Sequence, residues 1–553
     1  MDLQLAFVDC EVAIRKFFKN DLAGARKIMS PWCRTSLYHS LGAAIFEFIP
    51  AILTFDHAQI NRALSALKLC INLCNKQRKN LSLVESLGTI IRKSNYGNYT
   101  DVEAHAELCY AEALLLQAAM TIMEGEDLTG LIKGTIKVKS CYNSYRDCSK
   151  ILVKKKWDCE ESKTHFQSGV RLGIATFNLM ISLLPPKIIS LLEFVGFSGS
   201  KMQGLAELEA ASAAPGMRSV LCDLTLLGYH LVICHFIGTF GDLELCEKIL
   251  KKQLKIYPNS VWFLVFKGRL ELLRGQLNTA MNIYHRVVLN QNTFQQFRHV
   301  CYWENMWIHA LRTQWRDAAH YAAQLMEESS WSRTVYAYTK AVMLLQMDCY
   351  SEGDRGHCTD LLRSTEMYKQ RIAGKSLPLE KFMIRRSERY FMQGSRLLLP
   401  AIELLCLWNM FHVFTNNNLS AHKILKMIEE GREVAEGCTP WRADTAADNR
   451  ALARYLHGCC LNAMNAPRQA LEILHSITLL KHEIQHDTFF IPYAIVEMAM
   501  CHYKLGEMEK ALQYLHDARK KYSGYSLESR LHFRIHSKIQ IVKEAMNAAE
   551  SDK

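Results

Sequence analysis

Leu227–Asn259, LGYHLVICHFIGTFGDLELCEKILKKQLKIYPN, and Val261–Asn292, VWFLVFKGRLELLRGQLNTAMNIYHRVVLNQN, align without a gap. Cys234, Gly241, Cys246, Leu250 and Pro258 of the first stand where Gly268, Gly275, Ala280, Tyr284 and Asn292 stand in the second. The offset, 275 − 241 = 34, is the period of a tetratricopeptide-type helical hairpin. A small residue on each helix (Cys234 or Gly268, then Cys246 or Ala280) lets two helices approach closely. Gly241 and Gly275 are expected to turn the chain between them, because glycine accepts φ > 0 at a helix end. Pro258 marks an exit where no helix needs its N–H.

Weaker copies extend this frame in both directions. Gln314, Ala319 and Met326 follow at a spacing of 314 − 275 = 39, and Asn416, Ala421 and Leu425 also fit. Near the carboxyl end, Asn465, Ala470 and Leu474 precede Gly506, Ala511, Leu515 and Ala518, while Asn20, Ala25 and Met29 repeat as Ala58, Ala63 and Leu67. The expected fold is therefore all-α: a right-handed tetratricopeptide-repeat-like superhelix of antiparallel helix pairs with irregular helical insertions. The segments expected are an N-terminal helical repeat region (1–165), a helical segment and connection (166–216), central repeats (217–346), a helical insertion (347–400), C-terminal repeats (401–541) and a frayed tail (542–553). Gly196–Gly216 reads as an inter-helix connection and Ser351–Gly356 as a polar turn.

Composition agrees. A chain of 553 residues is too long for one compact core, and 11 prolines with 27 glycines are too few for an all-β fold. The excess of 67 basic over 55 acidic residues, +12, is too mild for a nucleic-acid footprint. Lys154-Lys155-Lys156, followed by Trp157, Asp158, Glu160 and Glu161, reads as a solvated helix face. Nineteen cysteines without a C-x-x-C pair read as small core hydrophobes in a reducing compartment. The amino terminus lacks the basic and apolar regions of a secretory signal. Leu224–Gly241 has no Asp, Glu, Lys or Arg but falls at the lower limit of the roughly 20 residues a spanning helix needs. It reads better as a buried repeat helix. The expected location is cytoplasmic, with nuclear, organelle-peripheral or lipid-droplet contact left open.

Three further stretches carry a resemblance. They are Gly169–Gly173 running through Leu183-Leu184-Pro185-Pro186 to Leu191–Phe197, then Gly374–Phe382 with Arg385-Arg386 behind it, and Ser36–Gly42. Across essentially the whole chain they resemble the tetratricopeptide-repeat-39 family, which is related to the fungal inclusion-body-clearance proteins. The resemblance implies a non-catalytic, intracellular helical repeat protein connected with lipid and cholesterol balance or with clearance of misfolded protein, without cofactors.

Three functions are open to such a chain. The first is a scaffold or adaptor that holds a protein client in a concave groove. In the family frame the first helix of each unit lines that groove, placing His235, Trp262, Val265, Arg269, Glu304, Ile308, Leu311 and Arg312 inward, then Tyr493, Val496, Met500 and Tyr503 in the last unit. Packing against a neighbouring helix fits Trp262 and its neighbours equally well. Leu231, His235, Phe266, Cys301 and Asn305 stand where chaperone-tail-binding repeats clamp a carboxylate, and cannot do so. The groove reads as apolar, suited to a helix or extended segment. The second is lipid or membrane-surface binding through the apolar stretch Phe177–Phe197. The third is a zinc hydrolase at His482-Glu483-Ile484-Gln485-His486, a literal H-E-x-x-H. The metzincin continuation fails at Phe489 and Pro492, Asp487 charges the second histidine's neighbour, and Pro492 is expected to break the helix toward Glu497. Gly374-Lys375-Ser376 lacks the first glycine of a phosphate loop, since Lys369 stands there.

Overall fold

The computed structural model describes residues 2–54, 56–79, 96–124, 128–183, 199–289, 295–347, 351–372, 375–437 and 441–551. In it the decisive pair of stretches forms the expected hairpins. Helix α11 (Val261–Leu273) and helix α12 (Leu277–Leu289) are joined at Gly275, whose φ is 74°. Gly268 lies against the ring of Tyr284, where a Cβ would come within 2.6 Å of it, so only glycine permits this spacing.

The same turn recurs. Asn20, Thr313, Asn465 and Gly506 also have positive φ, and Ala25, Ala318, Ala470 and Ala511 lie five residues later (280 − 275 = 5 in the central pair), each fully buried. These turns join α1 (Leu3–Phe18) to α2 (Leu22–Met29), α13 (Gln295–Leu311) to α14 (Trp315–Glu328), α20 (Ala443–Ala463) to α21 (Pro467–Thr478), and α22 (Phe490–Lys504) to α23 (Met508–Lys520). The turn after α13 is therefore at Thr313, one residue before the expected Gln314, and the small buried partner is Ala318.

The remaining helices continue the array. They are α3 (Leu37–Thr54), α4 (His57–Gln77), α5 (Asp101–Glu124), α6 (Leu128–Lys154), α7 (Glu160–Ser182), α8 (Lys201–Ala213), α9 (Ser219–Ile237), α10 (Leu243–Ile256), α15 (Arg333–Leu345), α16 (Glu352–Ser364), α17 (Pro378–Met392), α18 (Pro400–Leu407), α19 (Asn418–Glu436) and α24 (Glu528–Ser551). A two-residue antiparallel ladder, Arg371–Ile372 with Lys375–Ser376, is the one extended pairing among the described residues. One core cluster runs from Ala6 to Val542.

Several local expectations are corrected. Helix α9 passes through a π-turn at Tyr229–Ile233 and ends at Gly238, φ 76°, so Gly238 and not Gly241 is its left-handed cap. Gly241 serves close approach instead, since a Cβ there would sit 2.1 Å from the His230 carbonyl oxygen. Lys201–Ala213 is a helix capped by Ser200, not a connection. Ser351 is no loop residue: it forms a capping box with Asp354 at the start of α16. Pro492 lies in the first turn of α22, where a missing N–H costs nothing, so it begins a helix instead of breaking one. Helix α24 continues through the stretch expected to fray after Val542, as far as Ser551.

The array closes on itself. Helix α24 packs back on the end of α9, and a 3₁₀ helix (Met410–Asn416) between α18 and α19 packs against α11.

Candidate functional site

The chain's own segment Trp408–Asn417 packs against the helices of the central repeats that were expected to line a groove. His235 Nε2 lies 2.9 Å from the Trp408 carbonyl oxygen and must donate to it, while Asn409 donates to the carbonyls of His235 (2.9 Å) and Phe236 (3.1 Å). Burial, aided by the neighbouring Arg269 guanidinium, holds the His235 imidazole well below its usual pKa, so it stays neutral. The Trp408 ring centroid is 4.9 Å from that of Trp303 and 6.0 Å from that of Trp307. Asn416 and Asn417 donate to the carbonyls of Leu273 (3.2 Å) and Gly275 (2.8 Å), satisfying groups left open at the end of α11.

Beneath that segment, Arg269 Nη1 is 3.0 and 2.8 Å from the two carboxylate oxygens of Glu304, and its Nε donates to the Leu231 carbonyl. Ile308 and Leu311 are fully buried. His235, Arg269, Glu304, Ile308 and Leu311 thus come together, but as an internal layer under the chain's own cover. Trp262, Val265 and Arg312 remain part-exposed. The Trp262 ring packs on Phe17 (5.4 Å) and Phe297 (4.7 Å), and the Asn20 side chain caps the start of α11 by bonding Asn259 O and Val261 N. In the last unit, Tyr493 and Val496 are buried, with the Tyr493 hydroxyl donating to the Leu527 carbonyl, while Met500 and Tyr503 are part-exposed.

The structure adds a surface absent from the sequence reading. Val232, Ile233, Phe236 and Phe240, at the end of α9 and just beyond it, are 45, 37, 46 and 71 % exposed. Because Leu224–Gly241 is apolar on every side, no polar stripe announces which flank meets solvent. Beside this ridge, His412 stacks on Phe240 with ring centroids 4.9 Å apart, and Arg530 lies over Phe236.

The zinc reading loses its premise. Residues 479–489 form turns and coil, so His482 and His486 do not share a helix face. The backbone N–H groups of Gln485, His486 and Asp487 donate to Asp448, Asp487 accepts from Arg386 (2.6 Å) and Arg389 (2.5 Å), and Glu483 pairs with Arg450 at 2.6 Å. This is a salt-bridged anchor for a loop. Of the apolar stretch Phe177–Phe197, the part after Leu183 up to 198 lies outside the described residues; Phe177, Leu179 and Ile181 face the core. Gly374 and residues 184–197 of the resemblance motifs likewise lie outside them. Two helices, Leu37–Thr54 and Ser219–Ile237, are long and apolar enough to cross a membrane, yet 44 % and 61 % of these windows are buried in the fold. In the first, Glu47 is paired with Arg26 and Arg62.

Family models and a curated relative match most of the chain. The family model Iml2/Tetratricopeptide repeat protein 39 matches residues 11–464, and a Tetratricopeptide repeat model matches 493–525. The chain is 32% identical over 544 residues to Tetratricopeptide repeat protein ttc-39B of Caenorhabditis elegans, covering 97% of this chain and 92% of that protein. Among solved structures, it is similar to the APC/C hetero-tetramer Cut9-Hcn1 (12% identity, TM-score 0.24, 97% of this chain and 96% of that one). A tetratricopeptide repeat protein from Parabacteroides merdae matches with 12% identity and a TM-score of 0.24, over 57% of this chain and 98% of that one.

Proposed function

Because the chain belongs to the Iml2/Tetratricopeptide repeat protein 39 family, we propose that it is a non-catalytic intracellular scaffold that holds a segment of a protein client on its repeat surface. One observation carries the choice of a protein segment over other occupants. The central groove already accepts such a segment, Trp408–Asn417, through an aromatic anchor set against Trp303 and Trp307 and asparagine bonds to helix-end carbonyls. That is the groove-docking mode expected of these repeats, with self in the place of a partner.

The client surface in this reading is the ridge Val232, Ile233, Phe236 and Phe240, continuing past the self-filled groove. Trp262, Val265, Arg312, Met500 and Tyr503 are the groove positions that stay accessible beside their own packing. The occupant is an apolar, aromatic-anchored protein segment like the chain's own. Service in protein turnover or in lipid homeostasis rests on family resemblance alone.

The test compares captures from cells by wild type and Phe236→Asp/Phe240→Asp, after circular dichroism shows equal helicity. The expected result is a partner lost only from the variant, which, once purified, binds wild type directly and protects Phe236–Phe240 from chemical footprinting. A partner set unchanged by the variant overturns the ridge as the docking surface. Arg269 is unsuited to this test, since its loss leaves Glu304 buried without a counter-ion.

A further inference from the structure

Where α24 closes onto α9, cationic side chains gather with too little negative charge. Arg534 and Lys538 of α24 are 7 % and 4 % exposed, and Lys504, an exposed residue at the end of α22, adds a third positive charge beside them. Arg534 Nη2 meets Glu497 at 3.1 Å, and among the described residues Glu497 is the one carboxylate paired with any of these groups. Lys538 Nζ reaches only the Gly238 carbonyl, at 3.4 Å, and Lys504 only the Asn462 carbonyl. Arg530, one turn before Arg534, donates to the Leu407 carbonyl. Among the described residues, its Nε and Nη1, and Nε of Arg534, are buried without a hydrogen-bond partner. Four cations against one carboxylate leave an excess of three (4 − 1 = 3).

An uncompensated buried charge is among the costliest features a fold can carry, and carbonyl dipoles offset it only in part. The groups respond as that predicts. Burial brings Lys538 down to about 8 and Arg530 down to about 10, and lowers Lys504 as well. His412, at the mouth, adds no charge, because burial and the three cations Lys538, Arg534 and Lys504 hold it neutral at about 3. A water molecule at Arg534 would satisfy an N–H but not the charge.

We propose that Lys504, Arg534 and Lys538, backed by Arg530, form a site for a phosphate-class oxyanion at the closure of α24 onto α9. A single carboxylate would leave two of the three excess charges unmet. A phosphate group carries close to two negative charges and three strong acceptor oxygens, so it offsets more of the excess than a carboxylate and supplies acceptors for the open N–H groups. Arg534 and Lys538 are nearly buried, which favours a compact group over a polymer backbone. Lys504, Phe236 and Phe240 are exposed, so the cluster borders solvent. This site adjoins the apolar ridge of the client-holding reading but uses different side chains, Lys504, Arg530, Arg534 and Lys538, for a different ligand.

The experiment uses the purified full chain at neutral pH in two arms. Inorganic pyrophosphate is titrated calorimetrically, and phosphatidylcholine vesicles with and without a phosphoinositide are floated with the protein. Lys504→Gln and Lys538→Met are carried through both. Saturable pyrophosphate binding, weakened about thirtyfold or more in each variant, is the expected result. Binding without flotation identifies a free phosphate compound as the source; flotation that needs the phosphoinositide and is lost in Lys504→Gln identifies a lipid headgroup. Lys538→Met should also raise the Tm of the unliganded chain, because it removes a buried cation that lacks a counter-ion. Absence of saturable binding to both probes overturns the site, as does binding that both substitutions leave unchanged. A lowered Tm in Lys538→Met with no binding in wild type assigns the lysine to structure alone. Lys504 is exposed, so Lys504→Gln keeps the test decisive if Lys538→Met fails to fold.

Discussion

In the central repeats, Arg269 is met by both carboxylate oxygens of Glu304, and Trp408 packs on the neighbouring Trp303. Near the carboxyl end, Arg530, Arg534 and Lys538 gather with Lys504, and among the described residues Glu497, paired with Arg534, is the one carboxylate that meets any of them. Both regions use the same hairpin, turned by a left-handed residue and tightened by a buried alanine five positions on. The difference lies in what completes the concave face. One face is finished by the chain itself, with charge matched to charge, and is a structural interior. The other is left with unmatched charge beside an exposed aromatic ridge, which is how a surface awaiting a ligand differs from a core.

If that contrast is right, removing a charge has opposite signs in the two places. Arg269→Met strands Glu304 in the interior and should lower stability by about 3–5 kcal/mol in denaturant unfolding. Adding Glu304→Leu should restore more than half of the loss, because the charge is then gone from both sides. A single mutant as stable as wild type would show that water reaches Glu304, and the central face would be open after all.

The segment Trp408–Asn417, the roof of the central repeats, comes next in size. Trp408→Ala empties the contact with Trp303 and Trp307 and should cost about 3 kcal/mol, the low end for a truncated aromatic because Trp408 is part-exposed. Hydrogen exchange should quicken at the end of α9, where His235 and Phe236 lose the order imposed by Asn409. Unchanged exchange there would mean that the segment is held by its flanking helices and not by its anchor.

The two turns offer a finer comparison. Gly275 and Gly506 both have left-handed φ, 74° and 80°, so either alanine substitution costs about 1–2 kcal/mol from backbone strain. At Gly275 a Cβ would also fall 2.5 Å from the Asn416 carbonyl oxygen, whereas nothing lies within 4 Å at Gly506. Gly275→Ala should therefore be the more damaging in thermal unfolding and should loosen the roof with it. Equal losses would detach the turn from the roof.

These turns also show what the sequence made legible. Asn20, Gly275, Asn465 and Gly506 with their alanines stand in linear sequence at the spacing that the fold uses, so the hairpins could be read directly. Thr313 could not, because a β-branched residue is a poor candidate for positive φ and the neighbouring Gln314 fitted the frame as well. The roof was invisible for another reason. Asn409, Asn416 and Asn417 bond backbone carbonyls of helices more than 140 residues away, and no periodicity encodes which carbonyls those are. The sequence places His235, Arg269, Glu304, Ile308 and Leu311 in a groove open to a partner, whereas the structure packs them as an internal layer whose cover comes from elsewhere in the chain. Arg530, Arg534 and Lys538 recur every four residues, a stripe that charge-pattern reasoning assigns to a solvated helix face. Only the return of α24 onto α9 turns that stripe inward.

The smallest effect is the most direct probe of the unmatched charge. With Lys538 at about 8 in the folded chain and near 10.5 when unfolded, the unfolded chain binds more protons between those values. Stability contributed through this lysine should accordingly rise with pH across that window, by about 1.4 kcal/mol per pH unit. Buried thiols and phenols oppose this. Cys501 and Tyr336 are each pushed up to about 12 by burial, so they favour the protonated fold and lose stability for it once the unfolded groups ionise, from about pH 9 for the thiols. The quantity to measure is therefore the difference between wild type and Lys538→Met, which cancels those groups. A difference that rises from pH 8 marks a lysine without a counter-ion, and added pyrophosphate should flatten it by keeping the lysine charged. A difference already flat in the unliganded chain would mean that Lys538 is matched as Arg269 is, and the contrast between the two concave faces would collapse.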